Sequence, residues 1–542
     1  MEKQKQKRHE AKRIAAADCE TNPFEYGAII KPFIWGFYDG ESYWDFDNTP
    51  DFINFISRQN CVIYFHNGGK FDFHFIFKYL SPYSNLKIIN GRIAEIKIGS
   101  AILRDSYLII PQGLGKFIKE TIDYSIMKPE NRNKNMPEIK AYLKSDCRNL
   151  FDIVSRSISL YGNRLTIAGQ AVKFWSKLSG VKTEDYRTDS DYYDDTFRTY
   201  YFGGRVQVFR FGFTSGNIQC FDINSAYPFA MLHNMPWGFQ YTDSVNQKIL
   251  NTSFITLKAV STGAFPLRTI TGTSFPADKV IREFNITGWE YHTARRLGLL
   301  KKPELLKVLN HSALRNYADY IQHFYTIKKQ AEIDNDKTLR NFCKLMTNSL
   351  YGKFGTNGRD FCDYMYAPSG ATEDLKIRAG ENDIPLNMLC EIDKDNALYS
   401  YPSQFQTYRF YNVAIAASIT GFVRAYLLEH IQSAINPIYC DTDSIICEKF
   451  SGTIGAELGQ WKNEGNFSWI AIGGKKLYVM KRRDTSDSLY KTACKGARLT
   501  PLEIFRIAAR GKTIEYKQES PTFGINAIGS AKYILRKIRA TA

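Results

Sequence analysis

From Ile14 to about Gly162, β-rich runs (Ala28 to Tyr38, Cys61 to Phe65, Arg92 to Ile98) alternate with a helix-spaced run, Tyr142 to Leu160. That alternation predicts one α/β unit. The stretch Asp185 to Tyr201, rich in Asp, Thr and Tyr, leads into Gly203-Gly204, where a boundary and a backbone turn are expected. Strands follow at Arg205 to Phe213 and Ile218 to Ile223, then a polar region, then helical periodicity from Pro303 to Tyr351. A second polar insertion, Gly358 to Ser403, precedes an apolar helix, Tyr411 to Ile435, and a strand-turn-strand around Asp441. No internal repeat interrupts this order.

At 542 residues the chain has room for several domains, and 44% hydrophobic and 14% aromatic content excludes a disordered or collagen-like reading. The net charge of +17 asks for a polyanionic partner such as nucleic acid. Sixteen basic and five acidic residues lie between Ala471 and the end, so much of that surplus is C-terminal, and residues 1–13, with six Lys or Arg, read as a flexible basic arm. Ten cysteines without a Cys-x-x-Cys pair argue against disulfides and a zinc knuckle. The charged N-terminus lacks a secretory core, and the most apolar stretch, Val413 to Val423, is too short to span a bilayer. A cytoplasmic protein without membrane contact is expected.

Asp441 and Asp443 stand two positions apart in Tyr-Cys-Asp-Thr-Asp-Ser, where an extended chain would put both on one face. Such a pair suits magnesium and phosphoryl transfer, although a solvated turn is the commoner use of Asp-Thr-Asp. Asp222, leaving the strand Ile218 to Phe221, can join them, and Tyr227 offers a flat surface beneath a sugar. On a helix, Lys344, Asn348 and Tyr351 share a face at spacings of four and three, able to grip a nucleotide, while Gly352 leaves room for backbone approach. Lys476 and Tyr478, in a strand-like basic run, suit a duplex end. Gly511-Lys512-Thr513 mimics a Walker A loop, but Arg506 replaces its first glycine.

A separate acidic set lies N-terminally. Asp18 and Glu20 share a strand face, Asp72 follows Asn67-Gly-Gly-Lys-Phe71 at a strand end, and Tyr142 and Asp146 stack on a helix. Four carboxylates in three segments can bind two metal ions, with Tyr142 orienting a water.

These seven motifs, in this order, resemble the family B DNA polymerases over nearly the whole chain. The compact length, the Tyr201-Phe-Gly203-Gly204 linker and the two insertions are similar to the protein-primed subgroup of bacteriophages, adenoviruses and linear plasmids. The resemblance implies an α/β multidomain fold: a ribonuclease-H-like 3′-5′ exonuclease domain at 14–165, a linker at 166–204, and a right-hand polymerase at 205–542. Within the last, palm is expected at 205–242 and 404–480, a terminal-protein-region-like insertion at 243–302, fingers at 303–357, a second insertion at 358–403 and thumb at 481–542.

It further implies catalytic roles for Asp222, Asp441, Asp443, Asp18, Glu20, Asp72, Tyr142 and Asp146, with Ile223 joining the seven carboxylates as metal positions. Two Mg2+ per site, replaceable by Mn2+, are the implied cofactors. Nucleotide contacts fall on Tyr227, Lys328, Lys344, Asn348 and Tyr351. DNA contacts fall on Thr21, His66, Asn67, Phe71, Ser106, Lys116, Gly203, Gly204, Ser225, Gly352, Lys476 and Tyr478. The implied partners are template-primer DNA, a single-stranded 3′ end, dNTPs and a terminal protein, the enzyme being a monomer or that protein's heterodimer. A nucleic-acid-primed or primer-independent family B polymerase, or a nuclease or DNA-binding scaffold with an inactive polymerase, are the alternative readings.

Overall fold

The computed structural model describes all residues except 1–12, 26–28, 115–120, 188–189, 380–384, 404–410, 484–488, 519–521, 527, 529–531, 533–534 and 541–542. Arg13, assigned above to the basic arm, instead opens the strand Arg13–Thr21; the rest of that arm lies outside the described residues.

The strand Cys61–Phe65 is buried at every position. Such a run belongs inside a sheet covered on both faces, and it pairs in parallel with Arg13–Thr21 on one side and Ala101–Asp105 on the other. The 33-residue helix Pro129–Tyr161 lies across this sheet and buries Ile139, Leu143, Cys147, Leu150 and Val154. It approaches closely at Gly36, where an added Cβ would stand 2.9 Å from both Leu143 and the Cys147 sulfur.

The second insertion is not a separate body. Its strand Cys362–Pro368 pairs with Ser84–Ile89 at the edge of the N-terminal sheet, and Asn387–Glu391 and Asn396–Pro402 extend it, giving ten strands in one sheet. Tyr366 and Leu398 enter the same core as Phe77, Leu86 and Ile93. Exposed strand edges invite pairing with other chains, so this docking also covers an edge.

A seven-stranded antiparallel sheet forms the second centre, ordered Tyr490–Cys494, Leu477–Arg482, Trp461–Gly474, Gly212–Ile223, Ser444–Lys449, Ile435–Asp441, Val206–Val208. The helix Val413–Ser433 is apolar around its circumference and correspondingly buried, with Ile415, Ile419, Val423 and Leu427 in the core it shares with the helices Ile167–Ser179, Ala318–Ile333 and Lys337–Phe354. Among the described residues no helix is long and apolar enough to cross a membrane.

One expected helix is a strand. Glu304–Arg315 pairs with Met235–Asp243 and Phe254–Val260, the latter also pairing with Ile281–Thr287, in a four-stranded sheet that includes the first insertion. The mixed run Glu-Leu-Leu-Lys-Val-Leu-Asn-His suits either period, and tertiary pairing decides it. Helix resumes only at Ala318.

A buried ion pair joins this four-stranded unit to the core. Arg424 and Glu290 are each 2% exposed in their side chains and bond at 2.8 Å. The same guanidinium donates to the carbonyls of Phe202, at 2.6 Å, and Gly203, at 3.0 Å. Removing one partner of such a pair leaves a buried charge unmatched. Glu290→Ala should therefore lower unfolding free energy by about 3–5 kcal/mol in denaturant titration; a loss below about 1 kcal/mol would mean that the linker carbonyls alone satisfy Arg424.

Candidate active sites

The N-terminal acidic residues converge. Asp18, Glu20 and Asp146 each present an oxygen within 4.8 Å of the others. Asp72, 1% exposed, lies beside them, its carboxylate accepting from the Cys19 thiol at 3.1 Å. Burial, then the neighbouring carboxylates Asp72, Glu20 and Asp146, push Asp18 well above the ordinary range. Burial, then Asp146 and Asp72, raise Glu20 to about 8, and burial raises Asp72 to about 7. Among the described residues no ion pair reaches Asp18, Glu20 or Asp72.

Tyr142 is held protonated by burial and by the Tyr124 hydroxyl 3.5 Å away, a second phenol that spacing did not reveal. His66 bonds Ser106 Oγ and the Gln112 carbonyl, each at 3.0 Å, and burial lowers it to about 4, so it stands neutral. Asn67 has φ 65° and accepts from Arg92 at 2.7 Å, while Arg92 also pairs with buried Asp105 at 2.6 Å. This brace was not foreseen. Gly69 belongs to it, because an added Cβ would lie 1.9 Å from the Ile93 carbonyl.

Thr21 is buried and donates to the Asn22 carbonyl at 3.1 Å. Phe71 packs with Phe24, Phe75 and, from the C-terminal region, Phe523, at centroid distances of 5.6, 5.1 and 5.6 Å. Phe24 and Phe523 carry no motif and were missed. Lys116, and Lys119 near it, lie outside the described residues.

At the second centre, Asp222 is the penultimate residue of the strand Gly212–Ile223 and sits in register with Ser444 on one side and Lys462 on the other. Asp441 and Asp443 are not on one extended face. Asp441 ends the strand Ile435–Asp441 and Asp443 sits in the two-residue hairpin turn before Ser444, beside Thr442 at φ 62°, and the turn gives the two carboxylates different neighbours. Asp441 is engaged by Lys476 Nζ at 2.8 and 2.7 Å and receives the Tyr439 hydroxyl at 3.3 Å. Asp443 instead faces Asp222, whose pKa rises to about 7 from burial, Asp443 and Glu464. Burial also raises Asp443. Ile223 reaches the turn through its N–H, which donates to the Asp443 carbonyl at 2.8 Å.

Asp222 and Asp443 line a cavity of about 700 Å³ with Ile223, Ser225, Tyr227, Lys328, Lys344, Asn348 and Tyr351. The Tyr227 and Tyr351 rings stack at 4.1 Å and 18°. Ser225, at φ 53°, turns the chain into the short helix bearing Tyr227. A Cβ at Gly352 would meet no neighbour within 4 Å. Arg340, Lys462 and Glu464 also line the cavity and were missed; Glu464 falls at the register shift between Asn463 and Gly465, accepts from Lys462 at 2.7 Å and is lowered by that bond. Lys476 and Tyr478 do not lie in one strand-like run: Lys476, at φ 58°, is a turn residue between Trp461–Gly474 and Leu477–Arg482. Tyr478 packs on Tyr439 at 5.3 Å.

The glycine linker reaches this turn directly. The Thr442 N–H donates to the Arg205 carbonyl at 2.6 Å, and a Cβ on Gly204 would stand 2.6 Å from Thr442 Cγ2. Gly203 is held through its carbonyl by Arg424. Two sets of carboxylates, one beside paired tyrosines and lysines, thus gather at two separate sheets of one chain, the N-terminal set completed by the helices that carry Asp72 and Asp146.

The family model for DNA polymerase type B, organellar and viral, matches residues 117–280 and 312–437. The DNA-directed DNA polymerase of Enterobacteria phage PRD1 is 34% identical over 568 residues, covering 98% of each chain. This chain belongs to the type B DNA polymerases of organelles and viruses. A probable DNA polymerase of Agaricus bitorquis is 24% identical, over 85% of this chain and 69% of its own. Among solved structures, Phi29 DNA polymerase in an orthorhombic crystal form superposes with TM-score 0.74 at 17% identity, covering 98% of this chain and all of that one. Phi29 DNA polymerase complexed with primer-template DNA and incoming nucleotide gives 0.72 at 17% identity and 98% coverage. The type B polymerase fold, an exonuclease domain followed by palm, fingers and thumb, is therefore the fold of this chain.

The raised carboxylates set a pH dependence for this polymerase. A carboxyl group whose folded-state pKa exceeds its unfolded value stabilises the fold below the unfolded pKa, and that contribution is lost as pH rises through the folded value. For Asp72, Asp222 and Glu20 the window runs from the ordinary carboxylate range to about 7 or 8. In a chelator, the melting temperature should fall between about pH 5.5 and 8.5, and millimolar Mg2+ or Mn2+ should restore it more at the upper end. A flat profile in chelator, or a metal effect equal at both ends, would contradict the assignment.

Proposed function

We propose that this polymerase replicates a linear viral or plasmid genome, starting from a hydroxyl on a terminal protein and then elongating, and that its N-terminal site removes mispaired 3′ ends. One observation carries the synthetic half: Asp222 and Asp443 share a cavity with stacked Tyr227 and Tyr351 and with Lys328 and Lys344. The excision half rests on Asp18, Glu20 and Asp146 converging beside Asp72 at the N-terminal sheet.

Oxygen donors at these spacings fit Mg2+, with Mn2+ able to substitute. Asp222 and Asp443 would hold ions at the synthetic site; Asp18, Glu20, Asp146 and Asp72 would hold them at the other. When bound, such ions lower the pKa of an attacking hydroxyl or water and neutralise charge on the leaving oxygen. Asp441 serves differently, as the counter-ion that positions Lys476 until a primer phosphate competes for it.

The remaining groups bind and orient. Lys344 and Lys328 neutralise the triphosphate, Asn348 and the paired tyrosines form the wall against which base and sugar rest, and Ser225 contacts DNA at the edge of this cavity. Lys476 and Tyr478 hold the primer end, whose hydroxyl attacks the α-phosphate of the dNTP as pyrophosphate leaves. At the excision site, neutral His66, Asn67, Ser106, Thr21 and Phe71 hold a frayed single strand, and the Tyr142 hydroxyl orients the attacking water. The partners are thus template-primer DNA, a single-stranded 3′ end, dNTPs and the terminal protein.

Asp443→Asn should reduce primer extension by roughly 10³-fold or more while leaving single-strand degradation, and Asp72→Ala should do the reverse. Priming is tested separately, with labelled dNTP, Mg2+ and template, with and without the candidate terminal protein. A protein-linked nucleotide is expected; synthesis on a bare or oligonucleotide-primed template with no protein-linked product would favour the nucleic-acid-primed reading.

A further inference from the structure

The helix Pro129–Tyr161 carries Tyr142 and Asp146 at its middle and Arg156 and Tyr161 toward its end, Arg156 lying about 15 Å beyond Asp146 along the axis. The helix Lys337–Phe354 carries Phe342 near its start, two positions before Lys344. These helices meet where the Tyr161 and Phe342 rings stack at 4.6 Å and 15°. Beside them Arg156 pairs at 3.3 Å with Asp336, whose other oxygen caps the second helix at the Leu339 N–H, 2.9 Å away. The elements bearing the two candidate sites are therefore in direct side-chain contact.

A groove open to solvent flanks that contact. A cavity of about 200 Å³ lies against it, with Ile110, Ile153, Leu160, Leu339 and Phe342 in its wall. Arg156 and Leu160, 54% and 50% exposed, open this space to solvent, so it is a surface groove beside the two helices that leaves the Phe342 helix room to tilt. Helices are stiff over these lengths, so a tilt at one end displaces side chains along the element.

We propose that this joint couples nucleotide binding to excision: a nucleotide gripped by Lys344, Asn348 and Tyr351 shifts the Phe342 helix, the Tyr161–Phe342 and Arg156–Asp336 contacts carry the shift to the long helix, and Tyr142 and Asp146 move out of register for cleavage. The coupling is reciprocal, so a strand seated at the excision site weakens nucleotide binding. This rests on the two activities proposed above. Arg156, Tyr161, Phe342 and Asp336 are positioning residues, and none touches either site.

The test uses full-length Arg156→Ala, Phe342→Leu and Asp336→Asn, the last keeping a helix cap while removing the charge. Arg156 is 54% exposed, so its truncation leaves the core intact. On a paired primer-template, the dNTP concentration at which net shortening gives way to net extension should rise about 5-fold or more. Nucleotide KM for single incorporation, measured with Asp18→Ala added, should change less than about 2-fold, and single-strand degradation without nucleotide should be unchanged. A balance point that stays put, or moves only as far as KM does, overturns the coupling. Wild-type protein lacking either activity would remove the function reading and the coupling together; both activities present with unresponsive variants would remove the coupling alone.

Discussion

Carboxylates gathered from buried strands and helices repel one another and lose hydration, and this one electrostatic burden marks both acidic clusters of the polymerase. Asp18, Glu20, Asp72 and Asp222 all sit well above the ordinary carboxylate range for that reason. A sheet holds Asp18, Glu20 and Asp222, because strand register fixes where each side chain emerges while the strand's own hydrogen bonds keep the backbone from relaxing away, and the helices Asp72–Ile76 and Pro129–Tyr161 bring Asp72 and Asp146 against them. The cost is lifted by something that brings positive charge, whether lysine, as at Asp441, or a divalent ion, as inferred at Asp222 and Asp443.

The turns beside these strands carry a second cost. Asn67, Ser225, Thr442 and Lys476 all have positive φ, a region that costs a non-glycine residue of order 1–3 kcal/mol. All four lie in the candidate motifs, and three of them are held by neighbours: Asn67 by Arg92, Thr442 by Gly204 and the Arg205 carbonyl, Lys476 by Tyr439 and Asp441. The Arg424–Glu290 pair belongs to the same support, since it fixes the linker carbonyls that precede Gly204. A single chain of contacts thus runs from the first insertion, through the linker, to the turn between Asp441 and Asp443.

Much of this was legible in the sequence because chemistry restricts residue type and local spacing together. The carboxylates, Tyr142, Lys344 and Tyr351 could be named from short motifs, and the α/β character of the N-terminal unit from its periodicity. Long-range partners could not. Glu290 lies 134 residues from Arg424, Phe523 reaches Phe71 across most of the chain, and the second insertion finds the strand Ser84–Ile89 by a register that no local pattern encodes. Nor could the opposite fates of Asp441 and Asp443, which follow from one positive φ at Thr442 rather than from their spacing.

Anomalous scattering from Mn2+ in crystals of the full chain with primer-template and a non-hydrolysable dNTP tests the electrostatic assignment most directly. Mn2+ is expected between Asp222 and Asp443 and at a second site among Asp18, Glu20 and Asp146, with Lys476 released from Asp441 to the primer phosphate. Mn2+ ligated by Asp441 with Lys476 displaced elsewhere, or no ion near Asp222, would contradict it.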